Sequence, residues 1–220
     1  LMITVLHITA HLGGGVGKAL SGLISQSIKE NASIRHLIVC IEIPENLQFI
    51  DRIRANGIEV IIAPKPTDLN ELVYRADIVQ IEWWNHPATI GYLCHHVKQP
   101  IRLLIWCHVS GLHSPIIPKK LMEASSKFLF TSECSFEAKE VAEVLSQFKK
   151  KFAVVSSGGG FAELPQSVTT AEMKLSVGYF GSLNFSKLHP FFVKFLKAVK
   201  QPKFKVKIIG SSLNDKSLIK

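Results

Sequence analysis

The feature that most constrains this chain is a series of short apolar runs without polar–apolar alternation, each followed by a stretch with apolar residues at helical spacing. Ile3–Thr9 (ITVLHIT) reads as a strand, and Val16, Leu20, Leu23, Ile24 and Ile28 then share one helical face between Val16 and Lys29. His36–Ile41, Ile58–Ala63, Asp77–Ile81, Arg102–Cys107, Phe128–Thr131 and Phe152–Ser156 are the further strand candidates. Between them the sequence predicts a helix from Pro44 to Ala55, opened by proline and closed before Gly57. Another is predicted over Asp68–Arg75, where Asp68 and Glu71 have capping-box spacing. Strands that are apolar on both faces belong to a parallel sheet covered on both sides. The expected fold is α/β, a Rossmann-like doubly wound parallel sheet.

A turn-rich break follows at Gly158–Gly160 and Pro165–Thr170. Beyond it come an apolar run, Leu175–Phe180, a helical stretch over Pro190–Lys200 and a second run, Phe204–Ile209. One such βαβ unit cannot cover both faces of its own sheet. Residues 1–170 are therefore expected to form an N-terminal domain, and 171–220 the first βαβ unit of an incomplete second α/β domain. On this reading the chain looks cut short.

At 47% hydrophobic and 20% charged residues, the composition excludes intrinsic disorder. No apolar run approaches the roughly 18 residues of a membrane span. Leu1–Leu12 is apolar but has no basic leader, so it reads as a strand rather than a secretion signal. Cys40, Cys94, Cys107 and Cys134 form no C-x-x-C pair and are expected to be reduced thiols of a soluble cytoplasmic protein. The charge is unevenly placed. Residues 1–148 hold 13 Lys+Arg against 14 Asp+Glu, whereas 149–220 hold 13 Lys against three acids, a net of +10. Such a segment suits a phosphorylated ligand, a membrane surface or nucleic acid, or is a solvated face. Its phenylalanines fall at core spacing, which disfavours a nucleic-acid partner.

Gly13-Gly14-Gly15-Val16-Gly17-Lys18 lies between the first strand and first helix, where glycine permits positive φ and helix N–H groups are open to an anion. The phosphate-loop pattern fails, because Leu12 stands at its first glycine and Ala19 at its Ser/Thr. The dinucleotide fingerprint fails too, with Lys18 or Leu20 at its third glycine. An anion- or sugar-accommodating turn remains, beside a plain tight connection. His108 ends the fifth strand, at the sheet edge where ligands of doubly wound folds sit, and can hold a sugar hydroxyl or simply cap the strand. Glu82, with Trp83 and Trp84, ends the fourth strand and suits either a carbohydrate or the core. His95 and His96 are adjacent on a helix and point apart, which argues against a metal site. Ser132 reads as a helix cap.

Taken in order, several of these segments resemble glycosyltransferase family 4. They are Leu6-His7-Ile8-Thr9 with Gly14-Gly15 and Ala19-Leu20, Asp77-Ile78-Val79-Gln80-Ile81, the strand ending in His108, Phe130-Thr131-Ser132-Glu133, and Val155 with Gly158-Gly159 and Phe161. Val177-Gly178-Tyr179-Phe180-Gly181-Ser182-Leu183 is similar to the opening of that family's second domain. The resemblance covers nearly all of the chain. It implies two facing Rossmann-like domains, the GT-B arrangement, with the acceptor on the first and a nucleotide-sugar on the second. It further implies a retaining, hexosyltransferase-like transfer to a glycan or lipid-linked acceptor, as in polysaccharide biosynthesis, with no metal or other cofactor.

By the same resemblance, Gly14 and Gly15 approach the donor phosphate and sugar, and His108 is the catalytic histidine that contacts the transferred sugar. Lys187 neutralises the diphosphate leaving group. Ser182 stands where the family usually has a basic residue. The glutamates of the family's E-x7-E motif would lie beyond Lys220, so the chain alone is expected to be inactive. Peripheral contact with the inner face of the membrane is a further expectation from the basic segment. The alternative is a non-catalytic Rossmann-like module that binds a sugar or phosphorylated ligand without turnover.

Overall fold

The computed structural model describes residues 2–30, 32–97, 100–158, 175–181, 191–198 and 204–210. The chain divides into two compact units, Leu1–Glu163 and Leu164–Lys220. In the first unit, strands and helices alternate: β1 Ile3–Thr9, α1 Gly14–Lys29, β2 Ile34–Cys40, α2 Gln48–Ala55, β3 Val60–Ile62, α3 Pro66–Arg75 and β4 Ile78–Trp83. They continue with α4 Pro87–His95, β5 Leu103–Cys107, α5 Lys119–Ala124, β6 Lys127–Phe130, α6 Lys139–Gln147 and β7 Phe152–Val154. The strands form one sheet in the order β3-β2-β1-β4-β5-β6-β7, and every pairing is parallel. This is the doubly wound Rossmann-like fold that the apolar runs predict.

Because side chains alternate across a strand, each strand serves both faces. Leu6, Ile8, Val39, Val79, Ile81, Ile105, Phe128 and Phe130 point to one face, where Leu69 and Val73 of α3, Tyr92 of α4, Met122 of α5 and Val141 and Val144 of α6 close a continuous core. On the other face Ile38, Cys40 and Val60 pack against Leu20 and Ile24 of α1 and Ile50 and Ile53 of α2. The strand order reverses between β1 and β4, which opens a crevice at their carboxyl ends.

Two helix starts differ from the sequence reading. The helix expected from Pro44 begins at Gln48, because the Asn46 side chain accepts the Gln48 amide at 2.8 Å and sets the first turn there. The helix expected from Asp68 begins at Pro66, a favoured first helical residue, and its cap Lys65 makes no side-chain bond. Asp68 accepts instead from the Thr67 hydroxyl, and Glu71 pairs with Arg75 at 3.8 Å. Ser132 does cap a short 3₁₀ turn, accepting the Cys134 amide at 3.4 Å. In the second unit, β8 Leu175–Phe180 and β9 Phe204–Ile209 pair in parallel, with α7 Phe192–Ala198 between them in sequence.

Candidate functional site

The parallel register sets His7 opposite Gln80, Val5 opposite His36 and Glu82 opposite Trp106. Alternation therefore brings His36, His7, Gln80 and Glu82 to the α1 side of three adjacent strands. His108 follows β5, and its amide donates to the Trp83 carbonyl at 2.8 Å, which extends the ladder by one residue. Its ring Nε2 donates to Glu82 Oε2 at 2.7 Å. Glu82 is 0% exposed, and its Oε1 also accepts from Gln80 Nε2 at 2.7 Å. His7 Nδ1 lies 3.8 Å from the same Oε1. Beyond it, His7 Nε2 and His36 Nδ1 are 2.9 Å apart, and His36 Nε2 is 2.8 Å from the Ser27 hydroxyl on α1. Burial pushes the Glu82 carboxyl upward, but the His108 hydrogen bond and the nearby His7 outweigh it, leaving the group below the ordinary carboxylate range. His36 is lowered to about 4 by burial and by His7, so its imidazole is neutral at neutral pH. Trp106 walls this site, with its ring 4.9 Å from that of His108 and its indole N–H held by the Val155 carbonyl at 3.1 Å.

The glycine loop builds a second feature above the ends of β1, β2 and β4. Gly14 has φ +57, and α1 has no side-chain cap, so its first amides have no side-chain acceptor among the described residues. Gly17 is required for packing, since a Cβ there would lie 2.3 Å from the Leu12 carbonyl oxygen. A cavity of about 470 Å³ is lined by His11, Gly13, Gly14, Glu42, Asn46 and His86, among others. His11 Nδ1 accepts the Gly13 amide at 3.1 Å, and His86 Nε2 is 3.7 Å from Glu42. The rings of His11, Trp84 and His86 meet edge to face, with centroids 5.5 to 5.8 Å apart.

The structure thus joins Glu82 to His108 and places Gly14 at the cavity, with Gly15 as the next residue of α1. Glu82 is enclosed and holds His108, Trp83 is core, and Trp84 lies at the ring cluster. Lys187 and Ser182 lie outside the described residues. Sequence reasoning missed His11, Glu42 and His86. Each lies two or three residues past the carboxyl end of a strand, which is the signal that would have found them. Among the described residues, no group of three or more His, Cys, Asp or Glu is arranged to hold a metal ion.

No protein-family model matches the chain, and no curated protein matches it in sequence. Solved structures do match its fold. A glycosyltransferase from Rickettsia africae is similar at a TM-score of 0.53 and 14% identity, over 96% of this chain and 69% of that one. An O-GlcNAc transferase mutant from Thermobaculum terrenum is similar at 0.58 and 13% identity, over 99% of this chain and 40% of that one. A Medicago truncatula UGT complexed with UDP-glucose is similar at 0.51 and 9% identity, over 96% of this chain and 72% of that one. At such identities the likeness is one of fold, and the fold is the Rossmann-like one of GT-B glycosyltransferases.

Proposed function

We propose that this chain is the acceptor-side part of a glycosyltransferase of family 4 type, which moves a sugar from a nucleotide-diphosphate donor to a glycan or lipid-linked acceptor with retention of configuration. The observation that carries the proposal is the Glu82–His108 pair, placed at the carboxyl ends of adjacent strands of a sheet with this fold. A histidine held at one ring nitrogen keeps the other for a ligand hydroxyl. On this reading His108 steadies the transferred sugar, and Gly14 and Gly15 let donor atoms approach α1. The cavity at His11 and His86 takes the acceptor. Lys187 stabilises the departing diphosphate, and no metal takes part.

No two glutamates of the sequence have E-x7-E spacing, so we further propose that the 220 residues alone do not turn over. The 13 lysines of residues 149–220 support a peripheral encounter with an anionic membrane, on its cytoplasmic side. No helix among the described residues is long and apolar enough to cross a membrane.

Saturation-transfer NMR on this chain with a panel of UDP- and GDP-sugars tests the reading. Expected is transfer to sugar-ring protons that His108→Gln abolishes while the melting temperature holds, since glutamine still reaches Glu82. Transfer that His108→Gln leaves unchanged would overturn it.

A further inference from the structure

His108 does not stand alone with Glu82. The half-buried Ser27 of α1 and the buried His36 of β2 and His7 of β1 form a line of side chains that ends facing the Glu82 carboxylate, which the buried Gln80 of β4 reaches separately. The sequence reading assigned a role to none of these four. Their order of contact decides where each proton sits. Glu82 is an acceptor on both oxygens, so Gln80 and His108 must both give it a hydrogen. His7 Nδ1 is fully buried, has no hydrogen-bond partner and faces Glu82 Oε1 at 3.8 Å. A lone pair there would be buried against a carboxylate, which a low-dielectric interior penalises heavily. The proton therefore belongs on His7 Nδ1, and His7 Nε2 accepts. His36 Nδ1 must then donate across the 2.9 Å to His7, leaving its Nε2 to accept from the Ser27 hydroxyl at 2.8 Å. The neutrality of His36 fits a ring that donates at one nitrogen and accepts at the other.

We propose that Ser27, His36 and His7 form a one-way hydrogen-bonded line whose last N–H faces Glu82 across 3.8 Å, and that this line and the separate Gln80 hydrogen bond keep Glu82 a carboxylate, so that Glu82 acts as a positioning residue which holds the His108 proton on Nε2. Every donor in the line points towards Glu82, and the carboxylate fixes both the orientation and the tautomer of His108. The ring nitrogen left for a ligand is Nδ1, which has no hydrogen bond among the described residues. In the neutral ring that nitrogen is an acceptor, so the group it takes is one with an O–H to give, a sugar hydroxyl rather than a bare phosphate oxygen. This last step rests on the proposed function, whereas the line itself does not.

The test is imidazole ¹⁵N–¹H correlation on the 220-residue chain labelled at histidine, at about pH 8, above the ordinary histidine range. His36→Asn and His108→Gln assign the signals. Expected in the unsubstituted chain are a proton on Nε2 for His108 and on Nδ1 for His7 and His36. The latter is the minority form of a free histidine side chain. Glu82→Gln should shift the signals of all three rings, while Ser27→Ala should move the Nε2 signal of His36 alone. A His7 proton on Nε2, a doubly protonated His7, a neutral His108 with its proton on Nδ1, or three rings indifferent to Glu82→Gln would each overturn the line. If Glu82→Gln does not fold, the unsubstituted chain and Ser27→Ala still decide the matter. Correct tautomers without sugar binding would remove the proposed function and leave the line standing. Sugar binding with the wrong tautomers would do the reverse.

Discussion

The two faces of the seven-stranded sheet are made by the same strands and have opposite characters. One face is apolar from Val39 on β2 through Ile8, Ile81 and Ile105 to Phe130 on β6. The other is apolar where α1 and α2 cover β2 and β3 and at Val5 and Trp106, and it carries His36, His7, Gln80 and Glu82 across its middle. A doubly wound sheet needs both faces buried to be stable. It tolerates the polar line because each buried group but His7 Nδ1 finds a partner within the line, and His7 Nδ1 faces the carboxylate. One face therefore specifies the fold, and the other holds chemistry that the fold can bear.

Deleting bulk from the apolar face should have the largest effect. Phe128 is fully buried among Phe130 and Phe152. Phe128→Ala is expected to cost about 3–5 kcal/mol in denaturant unfolding. The chemistry at Glu82 would be untouched by such a change, so any loss of sugar saturation should follow unfolding alone.

On the polar face, Glu82→Leu leaves His108 and Gln80 without their acceptor and His7 without the carboxylate it faces, and should cost about 3 kcal/mol. Replacing the pair together, Glu82→Leu with His108→Leu, should recover much of that stability, because well-packed apolar groups can replace a buried polar pair. The double variant would make the second face resemble the first and should lose sugar binding. If the double variant is no more stable than Glu82→Leu alone, the pair is not the unit of that face.

Acid should separate the faces by a different route. Folded His36 takes up its proton near pH 4, whereas the unfolded chain does so near the ordinary 6.5. Between those values the unfolded state binds more protons, so stability is complete above 6.5 and falls as the pH drops towards 4. Glu82, held below its ordinary value, adds stability that is present above the usual carboxylate range and is lost as the pH falls through its folded value. The melting temperature should therefore decline from pH 6.5 to about 4 in the unsubstituted chain and less steeply in His36→Asn. An equal decline in both would show that His36 is not the group responsible.

The apolar face was also the legible one. Runs such as Ile3–Thr9 and Arg102–Cys107 announce strands because hydrophobic patterning is local in sequence. His108 and Glu82 were legible as strand-end residues, but their hydrogen bond was not, since it depends on the register of β4 against β5. His7 and His36 were read inside apolar runs as strand residues. Only the pairing of β1 with β2 brings their rings to a centroid distance of 5.2 Å. The starts of α2 and α3 were missed because a single side chain, Asn46 or Pro66, sets each one.

The glycine loop lies between the faces and offers the finest discrimination. Gly17→Ala would set a methyl 2.3 Å from a backbone oxygen and 2.6 Å from the Phe49 ring, so α1 must shift. A loss of about 2 kcal/mol is expected. Gly14→Ala meets no atom within 4 Å but must adopt φ +57, at a cost of about 1 kcal/mol. Gly15→Ala meets neither obstacle, because it has open space and lies in the first turn of α1. Its melting temperature should hold or rise slightly, since alanine restricts the unfolded chain. A ligand approaching that turn would still meet the new methyl. Gly15→Ala should then weaken sugar saturation without loosening the fold, which separates the loop's use from its packing. A Gly15→Ala protein as unstable as Gly17→Ala, or one that binds unchanged, would make the glycines a device for joining β1 to α1 and nothing more.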